Sequence, residues 1–408
     1  MEPVEESESY HRGLALRLEE MAPDDEFPTE SSRAQREVEE SLFAEDAVRD
    51  AAGLRHPPAI QKDRMRAYLR AAVNGKIEKY FVGLDSSQPW LCYWIIHALD
   101  LLSSSEEPVL DETTSQETVK FLKSCSNKSG GYGGGPGQVS HAATTFAAIS
   151  ALCVIGTDEA LESIDRQSLY SFLIRMKQPD GSFSVTDDGE TDIRGTYCAL
   201  TAASHTNMLT PEITRGCKDF ISSLQSFDGG IGGEPGNESH GGYTYCGVAS
   251  LCILCDSNLD EMGKIIDLES LKQWASMRQM AFEGGFQGRT NKLVDSCYSF
   301  WVGALFAMLR WQPGEPSLMD PSRLNRYLVN YCQGARGGMR DKPGVRPDYY
   351  HTCYALSGLS IAQQAMCEEG EDVPSDLRLK LIDPVYNLHT RRRERVYRYF
   401  HGRPFLPE

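Results

Sequence analysis

The sequence predicts an all-α protein in which about six helical hairpins close into a toroid. The first observation is a Gly-rich turn that recurs every 48 to 55 residues, at Gly131, Gly181, Gly229, Gly284 and Gly337. The second is that an amphipathic helical segment precedes each turn and a less polar, Ala- and aromatic-rich helical segment follows it, with no alternating strand pattern between. Because one such hairpin cannot bury its apolar helix alone, the repeats are expected to stack.

The hairpins are expected to form two concentric rings. The charged helix before each turn belongs outside, and the apolar helix after it belongs inside. Residues 63–103 read as a sixth, degenerate hairpin, in which Pro89 and Trp90 open the inner helix, a position that tolerates proline. The N-terminal ends of the inner helices would then surround a central cavity, and helix N-termini favour bound anions.

Two flanking segments differ in composition from the repeats. Residues 1–60 are acidic and poor in aromatics, which predicts a flexible arm. Within this arm, helical spacing from Gln35 to Ala52 predicts either a helix that docks on a neighbour or a transient solvated helix. The toroid domain is expected to span residues 61–390, and a basic tail to follow at residues 391–408.

Composition excludes several classes of protein. The net charge is -17, which argues against a nucleic-acid surface and requires any anion site to be built locally. No apolar run of 18 residues and no secretory leader are seen, so we expect a soluble protein without a transmembrane segment. The 12 cysteines are expected to stay as thiols in the cytoplasm, with Cys252 and Cys255 acting as small buried hydrophobes.

Three residues near the end of the chain offer a set of metal ligands. Asp295, Cys297 and His351 supply one oxygen, one sulfur and one nitrogen, which suits Zn²⁺ and leaves a fourth position for a reactant. Alone the pattern is weak, but the other notable polar residues share its place between a Gly turn and an inner helix. The full set is His141, Arg194, His240, Arg289, Lys292, Asp295, Cys297, Asp348 and His351.

Long motifs at residues 90–94, 240–246, 284–301 and 350–354 resemble the beta subunits of protein farnesyltransferases, and the resemblance runs from about residue 63 to 388. It implies an alpha-alpha barrel that works as a heterodimer with an alpha subunit. The implied reaction transfers a farnesyl group from farnesyl diphosphate to the cysteine of a C-terminal Cys-a-a-X motif. It also implies one Zn²⁺ per chain and assistance by Mg²⁺.

The resemblance assigns roles at the reacting centre. Zinc would be bound by Asp295, Cys297 and His351, with the substrate thiolate as fourth ligand. The diphosphate would be bound by His240, Arg289, Lys292 and Tyr298, of which Lys292 and Tyr298 also count as catalytic. Asp348 matches an acidic residue that the family links to Mg²⁺ on the diphosphate.

The resemblance also implies a lipid pocket and a peptide site. The lipid would contact Trp90, Tyr197, Tyr243, Trp301 and the aliphatic stem of Arg194. The peptide would contact Ser87, Trp90, Trp94, His141, Ala143 and Tyr350. Two residues depart from the family pattern: Phe146 replaces a common tyrosine, and Thr144 replaces a proline near the X residue, which puts the preference at X in doubt.

Three other functions are weighed against this one. The beta subunit of geranylgeranyltransferase type I shares the chemistry, but Trp90, Tyr354 and Asp348 match the farnesyl enzyme. A glycosidase on a similar toroid would need two carboxylates from among Asp192, Asp295 and Asp348, and would not need Cys297. A non-catalytic scaffold that binds prenylated or peptide ligands is the third alternative.

Overall fold

The protein is mostly helical, as predicted. The computed structural model describes residue 21 and residues 27–51, 59–75, 77, 79–103, 108–309 and 318–407. In chain order the helices are α1 (Glu30–Ala51), α2 (Lys62–Val73), a 3-10 helix (Lys79–Ser87), α3 (Gln88–Leu102), α4 (Glu112–Ser124), α5 (Ala142–Ile155), α6 (Asp158–Glu162), α7 (Arg166–Met176), α8 (Ile193–His205), α9 (Pro211–Thr214), α10 (Cys217–Ser223), α11 (Gly241–Leu254), α12 (Leu259–Met262), α13 (Leu268–Ser276), α14 (Tyr298–Trp301), α15 (Gly303–Met308), α16 (Pro321–Tyr331), α17 (Tyr349–Glu368) and α18 (Thr390–His401). Two short strands, β1 (Ile382–Asp383) and β2 (Leu388–His389), pair antiparallel before α18.

The inner helices form a closed ring. Neighbours pack in the order α3, α5, α8, α11, α14, α17, and α17 packs back against α3. Helices α14 and α15 are two pieces of one inner element, separated by Val302. The helices that precede them, α2, α4, α7, α10, α13 and α16, complete six hairpins. The predicted toroid is therefore confirmed.

Burial separates the two rings as the polarity of the sequence predicts. In α5, an inner helix, every residue from Thr144 to Ile155 is buried. In α13, which precedes a turn, Leu271 and Trp274 are buried while Glu269 is exposed. A helix that is apolar all round must be surrounded by protein, whereas an amphipathic one lies at the surface.

The Gly turns let adjacent hairpins approach closely. Gly229 has a φ of 96°, and a Cβ atom there would lie 2.1 Å from the carbonyl oxygen of Ser270 in α13. Gly337 has a φ of 101°, and its Cβ would lie 2.2 Å from the carbonyl oxygen of Arg64 in α2. Other residues would be strained in this backbone conformation and would clash with the next hairpin. The contact of Gly337 with α2 joins the last repeat to the first.

The described part of the N-terminal arm docks on the barrel. Helix α1 buries Leu42, and the hydroxyl of Tyr331 in α16 donates a hydrogen bond of 2.6 Å to Asp46 Oδ1. Of the two alternatives for this helix, docking is confirmed. The flexibility expected for residues 1–20, 22–26 and 52–58 concerns residues outside the described part of the chain.

The last part of the chain closes one end of the barrel. The β1–β2 hairpin projects into the ring, where Tyr197 and Tyr245 both donate hydrogen bonds to the carbonyl oxygen of Val385, at 2.9 and 3.0 Å. Tyr386 contacts Ser204 near the C-terminal end of α8, so the hairpin enters opposite the Gly turns. The basic tail then begins as α18, which packs on α5 and α8.

Candidate active site

The residues that cap the inner helices are largely the predicted site residues. The residue before each of α3, α5, α8, α11, α14 and α17 is, in order, Ser87, His141, Asp192, His240, Cys297 and Asp348. Four of these side chains accept hydrogen bonds from the first free backbone N–H groups of their helices, a role that caps perform in helices generally. The repeat register thus places polar side chains around one opening, opposite the C-terminal hairpin.

The structure brings the three predicted metal ligands together. The ligand atoms of Asp295, Cys297 and His351 all lie within 4.8 Å of one another. His351 Nε2 is 3.4 Å from Asp295 Oδ1, and the same carboxylate oxygen accepts a 2.8 Å hydrogen bond from the backbone N–H of Cys297. The set of donor atoms and their spacing fit a single metal ion with one open position.

Asp348 fixes the orientation of the His351 ring. Its Oδ1 accepts a 2.7 Å hydrogen bond from the backbone N–H of His351, and its Oδ2 lies 2.6 Å from His351 Nδ1. A proton on Nδ1 satisfies this contact and leaves Nε2 as the ligand atom. Carboxylates commonly orient metal-binding histidines in this way.

The site stabilises positive charge. Burial opposes the charged form of His351, but the hydrogen bonds that its ring donates to Asp295 and Asp348 outweigh the effect of burial and raise the pKa of His351 to about 10. Burial, followed by the negative charge of Asp295, raises the pKa of the Cys297 thiol well above its ordinary value. A cation bound here would provide the positive charge that the two carboxylates favour and would be needed to hold Cys297 as a thiolate.

Asp341 is a neighbour of the triad that the sequence reasoning missed. Its carbonyl oxygen accepts a 2.9 Å hydrogen bond from the backbone N–H of Ser296, and its carboxylate forms an ion pair with Lys342 through Oδ2. Burial, and then the charge of Asp295, raise the pKa of Asp341. Oδ1 is buried without a hydrogen-bond partner among the described residues. The sequence did offer one signal for Asp341, because it is followed directly by Lys342 and both lie just after the fifth Gly turn, where the other site residues cluster.

His240 and Tyr298 form a hydrogen-bonded pair at the rim. The backbone N–H of Gly242 donates to His240 Nδ1 at 3.1 Å, so Nε2 carries the proton of the neutral ring. Nε2 is 2.9 Å from the hydroxyl oxygen of Tyr298. With Nε2–H donating to this oxygen, the hydroxyl proton of Tyr298 remains available for another acceptor at the rim.

The predicted cations lie at the same rim but differ in their surroundings. Arg289 pairs with Glu238, and Arg194 pairs with Asp192, each at 2.5 Å. Lys292 is exposed and forms no ion pair with the described residues. Within the described part of the chain, the rim therefore presents two predicted cations with carboxylate partners and one, Lys292, without.

A closed belt of aromatic side chains lines the ring. We define the aromatic belt as a set in which each ring contacts the next, with centroid distances of 4.3 to 5.5 Å, and in which every inner helix from α3 to α17 contributes. Its members are Trp90, Trp94, Phe146, Tyr197, Tyr245, Trp301, Tyr350 and Tyr354. Below the aromatic belt, the carbonyl oxygen of Val385 in the C-terminal hairpin accepts hydrogen bonds from the hydroxyls of Tyr197 and Tyr245.

Two predicted lipid contacts lie beside the belt and one belt residue was missed. Tyr243 contacts the His240 ring at 5.1 Å, and the Arg194 guanidinium lies 5.5 Å from the Tyr243 ring. These two residues are thus at the rim. Tyr245 belongs to the belt, and the repeat could have revealed it, because Thr244-Tyr245-Cys246 matches Thr196-Tyr197-Cys198 of the previous hairpin.

The residues assigned to the peptide lie on α3, α5 and α17 or at their starts. His141 Nδ1 accepts a 3.1 Å hydrogen bond from the backbone N–H of Ala143, and Trp94 packs edge-on against Tyr350 at 5.5 Å. Ser87 precedes α3. The hydroxyl of Thr144, which departs from the family pattern, is buried and donates to the carbonyl oxygen of Tyr132 at 2.7 Å, so it is satisfied within the turn.

Comparisons of fold agree with this architecture. Residues 60–388 match the model of the prenyltransferase alpha-alpha toroid domain. The solved structure of Candida albicans protein geranylgeranyltransferase-I complexed with GGPP is similar in fold, with a TM-score of 0.71 at 20% identity, covering 84% of this chain and 99% of that chain. None of the described helices combines the length and apolar character that a membrane crossing requires.

Comparisons of sequence narrow the family. The protein farnesyltransferase subunit beta of Arabidopsis thaliana is 37% identical, covering 88% of this chain and 87% of its own length. The geranylgeranyl transferase type-1 subunit beta of the same plant is 40% identical, but over only 55% of this chain and 60% of its own length. With a family match over most of the chain and near full-length similarity to the former, the chain belongs to the prenyltransferase family, among the protein farnesyltransferase beta subunits.

Proposed function

We propose that this chain is the catalytic beta subunit of a heterodimeric protein farnesyltransferase. It would transfer the farnesyl group of farnesyl diphosphate to the cysteine thiolate of a C-terminal Cys-a-a-X motif. One observation carries the proposal: the N-terminal ends of the inner helices bring a three-ligand metal set, hydrogen-bond donors and cations to one opening, directly above an aromatic belt.

Zn²⁺ is the proposed occupant of the triad, one per chain. When bound, zinc lowers the pKa of a coordinated thiol and holds the substrate cysteine as a thiolate. Asp295, Cys297 and His351 would hold the ion, and Asp348 would keep the His351 ring in place. The substrate cysteine, rather than a hydrolytic water, would take the open fourth position.

The rim donors would stabilise the leaving diphosphate. As the bond from the lipid to the diphosphate breaks, negative charge develops on the leaving oxygens. Tyr298 can donate its free hydroxyl proton because His240 already satisfies its oxygen. Lys292 and Arg289 would add positive charge, and these donors are preorganised on two adjacent hairpins.

The aromatic belt would hold the lipid. An isoprenoid has no polar group along its chain, so it binds by apolar burial at about 25 cal/mol per Å². Trp90 and Tyr354 are members of the belt, and their bulk supports a farnesyl rather than a longer geranylgeranyl donor. The geranylgeranyltransferase type I beta subunit remains the second candidate, since the Candida albicans enzyme has a similar fold and the Arabidopsis thaliana beta subunit is 40% identical over 55% of the chain.

The geometry does not favour the glycosidase. Asp192 is committed to the N-terminus of α8 and to Arg194, and both oxygens of Asp348 contact His351. Neither carboxylate is therefore free to act as the acid or the base of a glycosidase. A scaffold without activity would have no need of the three-ligand set.

We propose that the chain binds an alpha subunit and that the heterodimer is located in the cytoplasm. The alpha subunit follows from the heterodimeric nature of the family. The cytoplasm is supported by 12 free cysteines, since thiols persist in a reducing compartment.

Co-expression with an alpha subunit, followed by a prenylation assay, tests the proposal. The heterodimer is offered radiolabelled farnesyl or geranylgeranyl diphosphate with peptides that end in Ser, Met or Leu. We expect thioether formation with farnesyl diphosphate and peptides ending in Ser or Met. Preference for geranylgeranyl diphosphate would support the type I enzyme, and peptide binding without zinc or turnover would support the scaffold.

Replacing Arg289 by alanine should weaken binding of farnesyl diphosphate without removing zinc. A charge-assisted contact to the diphosphate is worth about 1.5–3 kcal/mol, so the Kd should rise by roughly ten- to a hundredfold. Equilibrium dialysis with labelled lipid measures the Kd, and metal analysis checks that one zinc per chain is retained. An unchanged Kd would contradict the role of Arg289.

We propose that Mg²⁺ is bound by Asp341 rather than by Asp348. Both oxygens of Asp348 contact His351, whereas Asp341 Oδ1 has no hydrogen-bond partner among the described residues, and Mg²⁺ prefers carboxylate oxygens. Asp341→Asn should raise the Mg²⁺ concentration for half-maximal turnover by about tenfold and keep zinc. Asp348→Asn should instead weaken zinc binding by about 10–100-fold. Titrations of both metals distinguish the two residues, and the reverse pattern would restore Asp348 as the Mg²⁺ ligand.

A further inference from the structure

We propose that Glu238 is an internal counter-ion for Arg289, which an incoming diphosphate displaces and which reclaims Arg289 when the diphosphate leaves. The inference rests on the proposed function, because it concerns the diphosphate of that reaction. It assigns a role to a carboxylate that lies in the segment between the third Gly turn and α11, where no motif points to it.

The contact between the two side chains is close but accessible. Glu238 Oε2 lies 2.5 Å from Arg289 Nη1, and the side chains of Glu238 and Arg289 are 54% and 42% exposed. Among the described residues Glu238 makes no other side-chain hydrogen bond or ion pair. Of the residues that the structure describes, Arg289 alone therefore holds this carboxylate at the rim.

The other ion pair at the rim, between Arg194 and Asp192, cannot exchange partners in this way. Asp192, the partner of Arg194, is only 8% exposed and also accepts hydrogen bonds from the backbone N–H groups of Arg194 and Gly195. Moving Asp192 would uncap α8 and leave a buried carboxylate without partners. Glu238 can turn into solvent without such a loss, so of the two pairs only Glu238 and Arg289 can exchange partners readily.

The exchangeable pair lies beside the donors that would bind the diphosphate. Glu238 is two residues before His240, whose ring contacts the Tyr298 hydroxyl. Burial lowers the pKa of His240, and the charge of Arg289 lowers it further while that of Glu238 opposes the shift, which supports their proximity to the ring. A diphosphate that reached His240 and Tyr298 would therefore meet the Arg289 guanidinium and compete with Glu238 for it.

The strengths of the two contacts favour displacement of Glu238 when a diphosphate binds Arg289, and its return to Arg289 when the diphosphate leaves. An exposed ion pair typically shifts an equilibrium by a factor of about five at most. A diphosphate carries several negative charges and can bind a guanidinium through two oxygens, so it displaces one exposed carboxylate. In the free enzyme Glu238 would keep the Arg289 side chain ordered, and after transfer it would lower the affinity for the leaving diphosphate.

The test compares two variants with the same change of charge. In the assembled heterodimer, Glu238→Gln should lower the Kd for farnesyl diphosphate about three- to fivefold and lower the inhibition constant of inorganic diphosphate similarly. Glu234→Gln is the matched control, since Glu234 is exposed in the same loop and makes no ion pair with the described residues. It should leave both constants unchanged, and thermal unfolding should show equal stability for both variants.

A double variant separates a specific pair from a general effect of charge. In the Arg289→Ala background, Glu238→Gln should no longer change the Kd. The inference is overturned if Glu238→Gln weakens binding, if it behaves like Glu234→Gln, or if it tightens binding equally without Arg289. Failure of the wild-type heterodimer to bind farnesyl diphosphate would instead overturn the proposed function.

Discussion

Replacing His351 by alanine is expected to abolish zinc binding and turnover while leaving the fold intact. The side chain would supply one of the three proposed protein ligands, and Asp348 already holds it in place. Loss of a partner that merely orients a ligand lowers metal affinity by about 10–100-fold, so loss of the ligand itself should cost more than about 100-fold. Metal analysis of the purified heterodimer and single-turnover assays measure the two effects.

His401 provides the control for this substitution. It is exposed on α18, far along the chain from the triad, and its ring stacks on Tyr397. His401→Ala should retain one zinc per chain and full turnover. If His351→Ala also retained zinc, the three residues would not form the proposed site, whatever their proximity.

Replacing Trp90 by threonine is expected to admit geranylgeranyl diphosphate. Trp90 contacts Trp94 and Phe146 at 5.5 Å each, and its indole makes no hydrogen bond with the described residues, so its removal opens the aromatic belt at little other cost. In a hydrophobic pocket one methylene changes discrimination by about 10–200-fold, and the longer lipid adds a whole isoprene unit. The ratio of kcat/KM for geranylgeranyl to that for farnesyl diphosphate should rise by at least about tenfold.

An aromatic residue outside the ring serves as the control for pocket size. Phe227 is fully exposed in the third Gly turn. Phe227→Thr should leave the selectivity between the two lipids unchanged. If Trp90→Thr changed turnover but not selectivity, the bulk of Trp90 would not set the length of the lipid.

The fold could be predicted from the sequence because each helical hairpin packs on the next in the same way and therefore needs the same residues at the same positions. A glycine such as Gly229 recurs wherever one hairpin must press on the next, so its spacing reveals the unit. Polar residues such as His240 and Asp348 recur with it because each caps an inner helix. A local pattern of helix caps therefore located most of the candidate site.

The missed features depend on contacts between distant segments. The proximity of Asp341 to Asp295 follows from a hydrogen bond between the backbone N–H of Ser296 and the carbonyl oxygen of Asp341, which belong to different hairpins. The partners of Asp348 and Arg289 likewise depend on side-chain orientation. Helical periodicity carries no information about such contacts.

Closure of the ring has a consequence for how the protein is made. Helix α3 packs on α17 and on β2, which follow it by more than 200 residues, and the turn that contains Val385 closes the aromatic belt from below. During synthesis the growing chain therefore exposes the apolar surfaces of its inner helices until the final part of the chain emerges from the ribosome. Such surfaces are prone to aggregate. A chain that ended before residue 380 would lack the β1–β2 hairpin, so the hydroxyls of Tyr197 and Tyr245 would lose their acceptor and the aromatic belt would be uncovered on that side.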